Sequence, residues 1–241
     1  MKHFISQKTK RKQQRGEGRG SEYKPEIRVN EVKGHLGTHM APRDYKMNRA
    51  MQFLSQGEAM LNSILRFDDN VVDIREQYPL PIDATEIIAW QLGKRQPMVR
   101  GEKVPFTVDL LADYIDGHSE AYSVKVSRAE LLKSRSQIEN LYIMKTYCES
   151  VGIPFHQVYT EDLNRTYAEN LSRIVYYWNP DTVEDKVGLF KFLIAHKYIQ
   201  IDLESDVIDV VTFRKMADDA ISDEQYRELM KKVNDLKQVK V

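Results

Sequence analysis

The sequence predicts an α/β fold, a mixed β-sheet flanked by helices, followed by a smaller and mostly helical domain. Three observations carry that expectation. Over about residues 51–165 the periodicities run helix, strand, helix, two strands, long helix, strand, an order that builds a sheet with helices packed on it. An Asp-Gly turn signal at 116–117 joins the two central strand-like runs into a hairpin. Beyond about Asp162 the strand-like pattern gives way to helical segments. The expected divisions are a basic arm and lead-in over residues 1–50, a sheet-bearing domain over 51–165 and a C-terminal domain over 166–241, which suits a chain of 241 residues.

Taken in order, residues 1–20 are polar and basic and read as a flexible arm, and residues 21–50 as loop or short elements. Leu54, Met60, Leu61, Ile64 and Leu65 recur at helical spacing, giving a helix from about Gln56 to Arg66. In "NVVDIREQYP", Val72, Ile74 and Tyr78 alternate with polar positions and Pro79 ends the run, which reads as a strand. "DATEIIAWQLG" reads as a short helix with Asp83 as N-cap and Gly93 past its end. "FTVDLLADY" and "EAYSVKVS" are the hairpin strands. One long helix then starts at a Ser127–Glu130 capping box and stops at Gly152, and "PFHQVYTE" is the last strand. The C-terminal part holds helices around "NLSRIVYYWN" and "VGLFKFLIAHKY", an alternating "IQIDLESDVIDVV" and a charged terminal helix; a winged helix is one form open to it. Tyr176, Tyr177, Trp178, Phe190 and Phe192 read as core or interface of that part rather than a base-stacking surface.

Composition narrows the function. Positive and negative charges balance overall, but residues 1–50 hold 13 Lys+Arg against 5 Asp+Glu, and the rest carries the opposite net charge. A basic head on an acidic body suits a polyanion, and the cations to grip it are Lys8, Lys10, Arg11, Lys12, Arg15 and Arg19. A solvated tail is the competing reading. Cys148 is the single cysteine, which excludes an intramolecular disulfide and fits a reducing, cytoplasmic setting. No apolar stretch approaches a membrane span, the N-terminus lacks the apolar core of a secretory signal, and no Gly-rich phosphate loop implies ATP. His35, His39, His118, His156 and His196 show no ligand spacing for zinc.

The chemistry-bearing feature is an acid and a base inside the hairpin. Asp109 interrupts one apolar run and Lys125 the other. A carboxylate binds a hard cation such as Mg²⁺ or Mn²⁺. A nearby ammonium orients water and offsets charge on a phosphate. The plain alternative is a cross-strand ion pair. Burial among Val108, Leu110, Leu111, Val124 and Val126 argues against a merely decorative pair. Ser123 shares a face with Lys125, and the arrangement resembles the PD-(D/E)xK nuclease signature. Glu58 is the candidate second carboxylate, although Ser55-x-x-Glu58 is also a capping box. The charges of "DIREQ" read as a structural network between strand and helix.

Four segments in order extend that resemblance. "FLSQGEAMLNSILRFDDNVVDIREQYPL", "TVDLLADY", "AYSVKVSRAEL" and "GIPFHQVYTEDL", with the lead-in "GRGSEYKPEIRVNEV", resemble the TnsA family, the endonuclease subunits of heteromeric cut-and-paste transposases, over about residues 16–165. The resemblance implies a restriction-endonuclease-like core. It makes Glu58 and Asp109 metal-binding carboxylates, Lys125 the catalytic lysine, and the Val124 backbone carbonyl a further group facing Mg²⁺ or Mn²⁺. Where such nucleases have an acid or Gln, this chain has Ser123, a poorer ligand that can still hold a metal-bound water. The implied function is to cut the 5′ ends of a mobile element, with a TnsB-like DDE transposase cutting the 3′ ends and a TnsC-like ATPase regulator as partner, the latter meeting the C-terminal domain. A related phage or defence nuclease, or a DNA-binding scaffold with a decayed site, are the rival readings; the setting is the cytoplasm of a bacterial or phage-infected cell, with no membrane partner.

Overall fold

The computed structural model describes residues 5–32, 39–44 and 46–238. They divide into two compact units, Met1–Arg43 with Met47–Leu163, and Asp44–Lys46 with Asn164–Val241.

In the first unit, helix α1 (Gln7–Lys12) is followed by the short strands β1 (Arg43–Asp44) and β2 (Arg49–Ala50), and then by helix α2 (Gln56–Phe67). Strand β3 (Val71–Pro79), helix α3 (Ile82–Gln91) and a small pair β4 (Met98–Val99) and β5 (Glu102–Lys103) come next. The hairpin β6 (Thr107–Tyr114) and β7 (Ser119–Lys125), helices α4 (Arg128–Leu132) and α5 (Arg135–Ser150) and strand β8 (Phe155–Tyr159) complete it. The main sheet runs β3-β6-β7-β8. Its first two pairings are antiparallel and β7–β8 is parallel, so the sheet is mixed, as the element order predicts. Gly117 turns the hairpin with φ +91°, a conformation open to glycine at little cost.

Two apolar layers sandwich the sheet. Leu61 and Leu65 of α2 pack with Ile74, Leu110, Ala112, Tyr122 and Val124 on one side. Ala89 of α3 and Leu141, Ile143, Met144 and Cys148 of α5 pack with Val108, Leu111 and Ala121 on the other. Each fully buried large side chain contributes about 1.5–3 kcal/mol, so these layers hold the strands that carry Asp109 and Lys125. Burial also pushes the Cys148 thiol up to about 11.

Four expectations need correction. Residues 5–20 are not a flexible arm: Ser6 caps α1 by accepting from the Thr9 N–H, Lys10 pairs with Glu26 at 2.9 Å, and Arg15 is buried, donating to the Pro25 carbonyl and to Glu31. Residues 1–4 of the same arm lie outside the described residues. Helix α3 starts one residue before Asp83, with Pro81 at the N-cap position, its carbonyl accepting the Thr85 N–H, and Asp83 sits in the first turn, where a negative charge suits the helix dipole. The long helix is two, α4 and α5, because Ser134 as well as Ser127 caps a helix start. In β3 the pairing slips between Val71 and Asp73, so Val71 is buried and Val72 is exposed.

The strand also breaks its alternation later. Ile74 and its partner Ala112 face the α2 layer, whereas the paired Tyr78 and Val108 face the α3–α5 layer. Residues an even number apart share a face in a regular strand. The switch falls at the unpaired positions between Glu76↔Leu110 and Tyr78↔Val108, which are Gln77 and Asp109. Gln77 makes the turn with φ +48°, a left-handed conformation that costs a non-glycine residue about 1–2 kcal/mol.

The second unit holds helices α6 (Arg165–Ile174), α7 (Lys186–Ala195), α8 (Val210–Ala220) and α9 (Asp223–Gln238) around Leu171, Ile174, Leu189, Phe190, Ile194 and Phe213. Among its described residues from 164 onward there is no strand, so the wing that the sequence left open is absent there. Buried Asn170 explains why "IQIDLESDVIDVV" stays a loop. Its amide donates to the Leu203 and Asp206 carbonyls at 2.9 and 2.8 Å, and its oxygen accepts the Ile208 N–H at 2.8 Å, replacing a strand ladder as the partner of those groups. Phe190 and Phe192 are core, and Trp178 stacks on His196.

Candidate active site

The site forms where β6 and β7 part. Their registered pairs run from Asp113↔Ser119 to Leu110↔Tyr122 and end there. Beyond that pair, the Val124 N–H donates to Asp109 Oδ2 at 2.6 Å instead of to a strand carbonyl. The same oxygen accepts the Ser123 hydroxyl at 3.1 Å. Ser123 Oγ in turn accepts from Lys125 Nζ at 3.2 Å, and Nζ also donates to the Val124 carbonyl at 3.1 Å and lies 3.9 Å from Asp109 Oδ2. Asp109, Ser123, Lys125 and the Val124 backbone are therefore one constellation. Asp109 and Lys125 keep side-chain exposures of 16% and 24%, enough for a reactant to reach them.

Glu58 joins it from α2. Ser55 caps that helix by accepting the Glu58 N–H, and Glu58 answers by accepting the Ser55 hydroxyl on Oε1 and the Leu54 N–H on Oε2, both at 2.9 Å. Besides capping the helix, the carboxylate feels the charges of Asp109 and Lys125. Burial first, and the negative charge of Asp109 second, push its carboxyl up to about 8, against the pull of the Leu54 N–H, the Ser55 hydroxyl and Lys125. A carboxyl that burial and a neighbouring carboxylate keep protonated is a natural seat for a divalent cation, which relieves the repulsion. Among the described residues there is no group of three His, Cys, Asp or Glu able to hold a metal. The fit therefore rests on the two carboxylates with the Val124 carbonyl as a neutral oxygen, the Ser123 hydroxyl being engaged with Asp109 and Lys125.

Two residues of this site were not singled out from the sequence. Gly57 lets the first turn of α2 seat on the sheet: a Cβ there would come 2.2 Å from Thr160 Oγ1 and 2.9 Å from Val124 Cγ1. A glycine in a helix start, where Ala is favoured by about 1 kcal/mol, was the available signal. The second is Gln77, whose Nε2 donates to Glu58 Oε2 at 3.1 Å. The rest of "DIREQ" is a structural network, but it ties β3 to β6 and to the N-terminal segment rather than to a helix. Arg75 holds both oxygens of Asp113, Glu76 holds Arg49, and Asp73 accepts the Gly20 N–H.

Of the six arm cations, Lys8, Arg11, Lys12 and Arg19 are exposed, Arg19 also lying 3.5 Å from Asp113, while Lys10 and Arg15 are engaged as described above. The histidines that look scattered are partly gathered, since His118 and His156 both pair with Glu120; His35 lies outside the described residues. No helix among the described residues is long and apolar enough to cross a membrane.

Residues 68–161 match the family model of the TnsA-like endonuclease N-terminal domain. That span holds Asp109, Ser123 and Lys125 and begins after Glu58. Over 160 residues the chain is 31% identical to the transposon Tn7 transposition protein TnsA of Escherichia coli. The aligned part is 66% of this chain and 58% of that protein.

Proposed function

From the TnsA-like endonuclease domain that this chain carries, we propose that the protein is the DNA endonuclease subunit of a heteromeric transposase, cutting the 5′ ends of its element in Mg²⁺ or Mn²⁺. The observation that carries the reading is the Asp109–Ser123–Lys125 constellation at the parting of two strands, with Glu58 electrostatically joined to it.

In this reading Glu58 and Asp109 hold the cation, with the Val124 carbonyl as a further oxygen. A bound Mg²⁺ or Mn²⁺ supplies Lewis-acid stabilisation of the charge on the scissile phosphate and eases ionisation of the attacking water. Lys125 orients that water and offsets phosphate charge. Asp109 meets this task with Oδ2 fixed by the Val124 N–H and the serine hydroxyl, which leaves Oδ1 for the cation. Ser123 acts as a spacer that holds ammonium and carboxylate at a set separation, a role that a hydroxyl fills better than metal ligation.

Lys8, Arg11, Lys12 and Arg19 grip backbone phosphates without reading sequence. Residues 200–241 carry 7 Lys+Arg against 10 Asp+Glu, a poor match for DNA. The domain over residues 166–241 is assigned instead to a TnsC-like ATPase regulator, while a TnsB-like DDE transposase cuts the 3′ ends. The protein works in the cytoplasm. The test is a cleavage assay on element-end DNA with the transposase partner present. Chelation should stop 5′ cutting, Mg²⁺ or Mn²⁺ should restore it, and 5′ cutting that survives full chelation would refute the reading.

A further inference from the structure

Among the described residues, Gln77 is the one in the middle of the main sheet with a positive φ, at +48°. It is also almost fully buried, with 2% exposure. Nothing in the turn chemistry of the chain requires it, since it lies in neither a hairpin nor a helix end. Glycine would take this backbone without strain, yet a glutamine stands there. An outlier of this kind in a buried strand calls for a side-chain reason.

The geometry supplies one. In a regular β3, Gln77 would share the face of Arg75, whose guanidinium covers the Tyr78 ring on the side away from α2. The left-handed turn swings the side chain to the α2 side, where Nε2 donates to Glu58 Oε2. Position 77 also stands opposite position 109, between the pairs Glu76↔Leu110 and Tyr78↔Val108. The backbone irregularity thus sits between the two carboxylates, touching one by hydrogen bond and facing the other across the sheet. The Gln77 carbonyl is tied down as well, by the Glu26 N–H at 3.2 Å.

We propose that Gln77 is a positioning residue for the metal site, holding the Glu58 carboxylate in the orientation that lets it share a divalent cation with Asp109. This rests on the reading of Glu58 and Asp109 as the metal-holding pair. The amide does not touch the reacting phosphate. It fixes one oxygen of Glu58 together with the Leu54 N–H, so the carboxylate cannot rotate away when the charge of Asp109 repels it. The strained backbone is retained because it alone brings an amide of this length to that oxygen.

The experiment is a calorimetric titration of the metal-free full-length protein with Mn²⁺, alongside its melting temperature, for the wild type, Asp109→Ala, Gln77→Gly and Gln77→Asn. Gln77→Gly removes the amide and relieves the backbone. Gln77→Asn tolerates the backbone but is one methylene too short to reach Glu58. Both should bind Mn²⁺ about tenfold more weakly, as is typical when a group that orients a ligand is lost, and Gln77→Gly should melt no lower than wild type. A purely structural role would lower the melting temperature and leave the affinity of the folded protein unchanged. Wild-type affinity within twofold in both variants, or loss of folding in both, would overturn the proposal. Asp109→Ala separates the two failures. If it binds Mn²⁺ as the wild type does, or if the wild type does not bind, the two-carboxylate reading falls and takes this inference with it. If Asp109→Ala abolishes binding while the Gln77 variants keep it, only the positioning role falls.

Discussion

Ser123 spans the acid and the base of the site: its hydroxyl accepts from Lys125 Nζ at 3.2 Å and donates to Asp109 Oδ2 at 3.1 Å. If it is a spacer rather than a metal ligand, Ser123→Ala should keep Mn²⁺ affinity within about threefold and lose about tenfold in cleavage rate, since one charge-assisted hydrogen bond is worth about 1.5–3 kcal/mol at most. Asp109→Ala should lose far more. A single-turnover rate for each variant decides it, and a Ser123→Ala loss as complete as that of Asp109→Ala would assign the serine an essential role.

Glu58 sets a pH dependence with a definite sign. Its carboxyl is raised to about 8 in the folded, metal-free protein, against about 4.3 in an unfolded chain. The folded state then binds more protons than the unfolded state between those values, so this group lowers stability as pH rises from about 5 to 8. Glu58→Gln should therefore melt above the wild type at pH 8, and the gap should close toward pH 5. Mg²⁺ should raise the wild-type melting temperature and leave the variant unmoved. A gap that is constant with pH, or that widens on acidification, contradicts the assignment.

Gly57 is a steric requirement of the site. Gly57→Ala should lose about 1–3 kcal/mol through overpacking against Thr160 and Val124, despite the better helix propensity of alanine. Because the push lands on the residue next to Glu58, cleavage should fall about tenfold or more as well. Adding Thr160→Ala removes the 2.2 Å clash and should restore part of both in melting and rate measurements.

The exposed cations of the N-terminal segment give a salt-dependence test. Replacing Lys8, Arg11, Lys12 and Arg19 by Gln should make the dependence of DNA affinity on salt shallower by about 0.9 for each phosphate that is no longer neutralised. Replacing Arg15 should instead lower the melting temperature, because its guanidinium is buried against Pro25 and Glu31. An unchanged salt slope in the fourfold variant would remove this segment from the DNA interface.

How much of this was legible in the sequence depended on range. Local chemistry read well: the Asp116-Gly117 turn, the Ser55 and Ser127 caps and the apolar spacing of α2 depend on neighbours within four residues. The acid and base stood out because charges are costly in apolar strands. What did not read was set by packing between distant segments. Arg15 looks like any arm cation until Glu31 and Pro25 fold around it. Val72 and Tyr78 satisfy a period-two pattern that the slip at Asp73 and the turn at Gln77 then break. Gln77 itself carries no local mark, because its partner lies 19 residues away on α2.

If Glu58, Asp109 and Lys125 form a metal-dependent nuclease site, loss of Asp109 must silence it. The most direct measurement is strand-resolved cleavage of element-end DNA by Asp109→Ala, assembled with the transposase and ATPase partners in Mg²⁺ or Mn²⁺. The expected result is that 5′ cutting disappears while the partner's 3′ cutting persists, which shows that the complex still assembles. Full 5′ cutting by the Asp109→Ala protein would contradict it.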